Sequence, residues 1–73
     1  MSNIKYSEIY KNPPTEYVIY ETSEPRRYRG FRKYYMVVEY DGDRTTEVIL
    51  DQQPVNTIRE GKKLIKKWQN LYG

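Results

Sequence analysis

The most regular pattern of apolar positions lies near the C-terminal end of the chain. Ile58, Gly61, Leu64, Ile65, Trp68, Leu71 and Tyr72 fall on one stripe, and Arg59, Lys62, Lys63, Lys66 and Lys67 fall opposite them. This is the period of an amphipathic helix. Thr57 and Glu60 have capping-box spacing, so the pattern predicts a helix over 57–72 that supplies most of the core through Trp68. Three stretches upstream are rich in β-branched and aromatic residues, 15–22, 34–40 and 44–50. They predict three strands. Ser23-Glu24-Pro25 ends the first, and Asp41-Gly42-Asp43 joins the second to the third as a hairpin. A three-residue loop there sets Met36 opposite Val48 and Tyr34 opposite Leu50, whereas a two-residue turn sets Met36 opposite Glu47. The first register stacks apolar on apolar, and it is the one expected. Tyr6, Ile9 and Tyr10 share one face at helical spacing before Pro13-Pro14, so residues 4–11 are expected to form a short helix.

The expected fold is therefore α+β: a three-stranded antiparallel sheet packed on one C-terminal helix, with a short N-terminal helix. It forms a single domain over 1–73, with an N-terminal arm or helix at 1–14, the sheet at 15–50 and the helix at 57–72. In this register the sheet face away from the helix carries Tyr35, Val37 and Ile49, an apolar surface of the kind that marks an interface.

Composition changes this picture in two respects. Mean hydropathy is −1.02, low enough to raise disorder, but nine tyrosines carry buriable rings that the index scores as polar. Cysteine and histidine are absent, which removes disulfides, thiolate–imidazole zinc sites and Cys- or His-dependent catalysis. Asp41 and Asp43 flank a glycine but fall short of a calcium loop, and turn chemistry explains them. There is no glycine-rich phosphate loop. No enzyme, metal or cofactor is expected. The sequence after Met1 has no apolar signal region and no run long enough to span a bilayer, so a cytoplasmic location is expected.

The chemistry that remains is basic. Thirteen Lys+Arg against ten Asp+Glu give a net charge of +3. Five cations interleave with rings in Arg26-Arg27-Tyr28-Arg29-Gly30-Phe31-Arg32-Lys33. Arginine suits phosphate by charge and fork geometry, and rings stack on bases. The helix adds Lys62, Lys63, Lys66 and Lys67. Against this stand plainer explanations: a solvated loop paired with Glu21 and Glu24, and an ordinary lysine-rich helix surface. The leading expectation is a non-enzymatic module that binds DNA or RNA. The alternative is a phage-type inhibitor or adaptor that binds a protein through a tyrosine- and arginine-rich surface, as a monomer or a homodimer.

The expected order of helix, three strands and helix resembles the double-stranded-RNA-binding domain, and the three-stranded DNA-binding arm domains of phage-type integrases. The first resemblance implies that Lys62, Lys63 and Lys66 begin a phosphate-binding helix. The chain departs from that family in capping its helix a turn earlier, at Thr57, and in carrying bulky Leu64, Ile65 and Trp68 in place of small alanines. No family is assigned on these grounds.

Overall fold

In the computed structural model, which describes residues 3–10, 14–25 and 30–72 (side chains other than those of Pro25, Phe31 and Tyr72), four antiparallel strands precede one helix. The strands are β1 (Asn3–Tyr10), β2 (Thr15–Pro25), β3 (Phe31–Asp41) and β4 (Ile49–Val55), and the helix is α1 (Ile58–Tyr72). They lie in the sheet in chain order, β1-β2-β3-β4. Among the described residues no helix is long and apolar enough to cross a membrane.

The three-stranded expectation is corrected at both edges. Residues 3–10 form a strand, not a helix, because β2 offers them a full ladder from Asn3↔Glu21 to Tyr10↔Thr15. Eight residues make too few internal bonds for a stable lone helix, whereas a strand borrows its partner's donors and acceptors. With a strand in first place, the order no longer matches either resemblance. The stretch 44–50 is also reassigned. Arg44–Thr46 is a 3-10 turn capped by Asp43, whose carboxylate accepts the Thr45 amide at 2.9 Å. The Thr46 hydroxyl donates back to the Asp41 and Asp43 carbonyls, and Glu47 closes the turn at φ 59°. Local hydroxyl bonding of this kind competes with strand pairing.

Consequently β4 starts later and runs through Gln52-Gln53-Pro54, which an edge strand tolerates. Met36 faces Pro54 and Tyr40 faces Ile49, so neither register considered for the hairpin occurs. The connection is longer than the three residues expected. Gly42 does take a positive φ of 89°, while Asp43 is extended.

The helix lies on one face of the sheet. Tyr17, Ile19 and Val37 pack with Ile65 and Trp68, and Tyr6, Tyr35, Val55, Ile58 and Leu64 surround them. Trp68 stacks near Tyr17 with ring centroids 6.4 Å apart. Gly61 lets the helix close down: a Cβ there would lie 2.8 Å from Ile19 Cδ1. The capping box is present in shifted form. The Glu60 amide donates to Thr57 Oγ1 at 3.1 Å, and the Glu60 carboxylate accepts the amide of Asn56, one residue before the cap. Leu71, expected on the buried stripe, is 64% exposed.

The face assignment made from sequence is inverted for two of its three residues. Tyr35 and Val37 lie under the helix, and only Ile49 stands on the uncovered face. The helix covers the face of β3 that carries Tyr35 and Val37, whereas Met36 and Tyr34 were expected there, and the altered β3–β4 register sets Ile49 beside Tyr40 on the other face. The uncovered face is built instead on Val18, Val38 and Tyr40, flanked by Tyr20 and Met36.

Candidate nucleic-acid interface

The two central strands outrun their neighbours. β1 covers β2 only as far as Glu21, and β4 covers β3 only from Tyr35. Beyond these points Thr22↔Tyr34, Ser23↔Lys33, Glu24↔Arg32 and Pro25↔Phe31 continue alone as a two-stranded ribbon. The ribbon accounts for an elongated outline of 46 × 23 × 16 Å. Its two strands are joined by Arg26-Arg27-Tyr28-Arg29-Gly30. Arg26, Arg27, Tyr28 and Arg29 lie outside the described residues, as does the side chain of Phe31.

Strand alternation divides the two remaining cations of the stretch. Arg32 pairs across from Glu24 and reaches its carboxylate at 3.7 Å and the Asn56 side chain at 2.9 Å. It belongs to the uncovered face, where Glu24, Arg32, Tyr34, Met36, Pro54 and Asn56 line a shallow pocket at the base of the arm. Lys33 has the alternation of Tyr35 and stands on the helix side, 3.9 Å from Glu21, with its side chain 71% exposed. Lys5 joins the same carboxylate at 3.6 Å. Exposed pairs of this kind stabilise the fold little and leave the cations available.

The helix begins at the base of the arm. Its first turn follows β4, whose Val55 pairs with Tyr35, and it runs away until Gln69 Nε2 donates to Glu8 on β1. Lys62, Lys63, Lys66 and Lys67 are all exposed, and the Lys62 ammonium rests 4.7 Å from the centroid of the Tyr6 ring. Tyr6 also donates to Glu8 at 2.7 Å, and this bond holds its hydroxyl above the ordinary titration range. The helix cations and Lys33 thus share one side of the sheet, joined by Lys5 and Arg59. Lys5 was not recognised from sequence, where it sits inside an apparent helix.

Acidic residues gather at the other end. Glu8, Glu16, Glu39, Asp41, Asp43, Glu47 and Asp51 lie on the rows nearest the 3-10 turn or within that turn. Two of them are buried and held. Glu16 accepts the Arg44 amide at 2.8 Å and lies 3.8 Å from its guanidinium. Glu39 accepts from Tyr17, whose hydroxyl is pushed far up, first by burial and then by that bond. The Asp43 carboxyl is held below its ordinary value by the Thr45 hydroxyl and then the Thr45 amide. Among the described residues no cluster of three or more carboxylates is placed to hold a metal. No family model matches the chain, and neither does any curated protein or solved structure.

Proposed function

We propose that the protein is a nucleic-acid-binding module that engages its ligand with the β2–β3 arm and the lysine side of α1. The observation that carries this reading is the set of exposed cations on the helix side of the sheet: Lys5 and Lys33 beside the ribbon, and Lys62, Lys63, Lys66 and Lys67 along α1. Seven of the ten carboxylates lie instead on the rows nearest the 3-10 turn or within it. A net charge of +3 spread evenly would attract polyanions weakly, whereas cations gathered on one side orient the molecule on approach. In this reading Arg26, Arg27, Arg29 and Lys33 take phosphates at the arm, and Lys62, Lys63, Lys66 and Lys67 extend the footprint. Tyr28 and Phe31 supply the rings. Arg32, held by Glu24 and Asn56, steadies the base of the arm.

The test is binding to a panel of single- and double-stranded oligonucleotides across a salt series. Log affinity should fall linearly with log salt, by close to one unit of slope for each phosphate engaged on duplex DNA. Replacing both Arg27 and Arg29 with alanine should weaken binding to all sequences alike and flatten the slope by about two units. Binding that is equally weak in wild type and double variant would refute the reading. The protein-binding alternative keeps one observation of its own, the uncovered apolar sheet face, which an oligonucleotide on the helix side leaves free.

A further inference from the structure

Glu21 holds two cations on the side of the sheet that carries the helix. It is the last residue of β2 with a neighbour on each side, Asn3 on β1 and Tyr35 on β3. Its Oε2 lies 3.6 Å from the Lys5 ammonium, and its Oε1 lies 3.9 Å from that of Lys33. Each flanking strand thus sends one cation to a single carboxylate. Lys5 comes within reach because the β1 register slips between Ile4 and Tyr6, which leaves Lys5 out of the ladder. Lys33 stands in the ribbon, opposite Ser23. Among the described residues no other carboxylate pairs with two cations, and no ion pair engages Lys62, Lys63, Lys66 or Lys67.

The three side chains differ in depth. That of Glu21 is 22% exposed, against 41% for Lys5 and 71% for Lys33. The carboxylate lies lower than the two ammoniums, and a phosphate arriving from solvent meets the cations first. Neither pair is short enough to be a hydrogen bond. Lysine is also a flexible point charge, so Glu21 does not fix the direction of either ammonium. What it contributes is negative charge. Resting on the nucleic-acid-binding reading, we infer that Glu21 is an autoinhibitory counterion: it competes with backbone phosphate for Lys5 and Lys33, and holds the affinity of the helix side below what its lysines alone would give.

A phosphate bound to either lysine must share it with a fixed negative charge, which also repels the phosphate at close range. The pairs are exposed and weak, so Glu21 is a brake on binding and not a block. The brake acts where the base of the ribbon meets β1, and it spares the helix lysines. A ligand is then held chiefly by cations that have no such partner and must cover several of them at once. That requirement favours a run of phosphates over a single one.

The test compares Glu21→Gln with Glu47→Gln on the same duplex and single-stranded oligonucleotides. Both variants remove one carboxylate, and Glu47 is exposed at the end of the 3-10 turn, among the acidic rows. Glu21→Gln should tighten binding about three- to tenfold at low salt, the range that two exposed ion pairs account for. Glu47→Gln should change it by less than about twofold, because salt screens a distant charge. The freed lysines release counterions of their own, so the salt slope of Glu21→Gln should steepen by up to about one unit. With Lys5 and Lys33 both replaced by glutamine, the gain from Glu21→Gln should disappear. A gain no larger than that of Glu47→Gln would overturn the inference, since net charge alone would explain it. So would a gain that survives without the two lysines. Weaker binding by Glu21→Gln, in a variant that melts cooperatively, would overturn it as well and make Glu21 a positioning residue. In each of these cases the wild type still binds, and the nucleic-acid reading stands. A wild type that binds no oligonucleotide removes that reading and the inference with it.

Discussion

At the scale of single residues, the core depends on a few close approaches. Trp68 is 5% exposed and packs on Tyr17, so Trp68→Ala should cost about 3–5 kcal/mol. That is most of the stability of a domain this small, and the variant should lose its cooperative thermal transition. Gly61 tests the same contact from the other side. Alanine there gains about 1 kcal/mol of helix propensity. Its Cβ, however, meets Ile19 and Val37, both fully buried, and overpacking costs about 1–3 kcal/mol. Gly61→Ala should therefore lower the melting temperature, and a rise would show that the helix can lift off without penalty. Trp68 and the helix stripe were legible in the sequence because a 3.6-residue period survives without knowledge of partners. The closeness at Gly61 was not, because it depends on which strand residues face the helix.

Tyr40 gives a pH prediction of the same kind. Burial and its bond with Tyr20 push its hydroxyl up to about 12, against an ordinary value near 10. The unfolded chain therefore gives up this proton first. The stability involved is intact below pH 10 and is lost as pH rises toward 12. The loss should be about 2–3 kcal/mol from this group, with Tyr17 adding in the same direction. Tyrosinate absorbance and far-ultraviolet circular dichroism followed together should show part of the titration coinciding with unfolding. A full tyrosine titration in a chain that stays folded would contradict the burial of both rings.

At the scale of elements, the sequence was clearest where local rules suffice and misleading where pairing decides. The capping residues Thr57 and Glu60 were recognised, and Thr57→Ala should cost about 1 kcal/mol. The first strand was missed because of its bulge. Between Ile4 and Tyr6 the register slips by one, so Ile4 and Ile9 share a face at odd separation and the two-residue alternation disappears. What remains, Tyr6, Ile9 and Tyr10, imitates a helical stripe. The last strand was misplaced because Thr45 and Thr46 read as β-formers while their side chains bond to a turn. The basic stretch was legible in composition, but the ribbon that carries Arg32 and Lys33 follows from unequal strand lengths, which no local pattern encodes. The ribbon has its own signature. Amides of 22–24 and 31–34, with one partner strand and no helix above them, should exchange with solvent much faster than those of Val18 and Val37. Equal protection would mean that something covers the arm.

At the scale of the whole molecule, the proposed nucleic-acid binding raises the question whether the arm and the helix would act on one ligand. They share a side of the sheet through Lys33, Lys5 and the start of α1, and the helix axis leads away from the base of the arm. A ligand long enough to follow both would feel two groups of cations at once. A two-stranded ribbon has the width to enter the major groove of B-form DNA, and the major groove of A-form RNA is too deep and narrow to read. In the proposed reading, replacing Arg27 and Arg29 would remove phosphate contacts of the basic stretch, and replacing the exposed Lys63 and Lys67 would remove those of the helix. If one duplex spans both, each pair of alanines should flatten the salt slope by about two units, and the four together by about four. If only the arm binds, the lysine variant should match wild type, and the quadruple variant should match the arginine pair. Short single strands separate the roles further, because loss of Tyr28 or Phe31 should cost about 1–3 kcal/mol where bases stack and little where they remain paired. A lysine variant that loses affinity without any change in slope would show that those residues hold the fold, and the footprint would then contract to the arm alone.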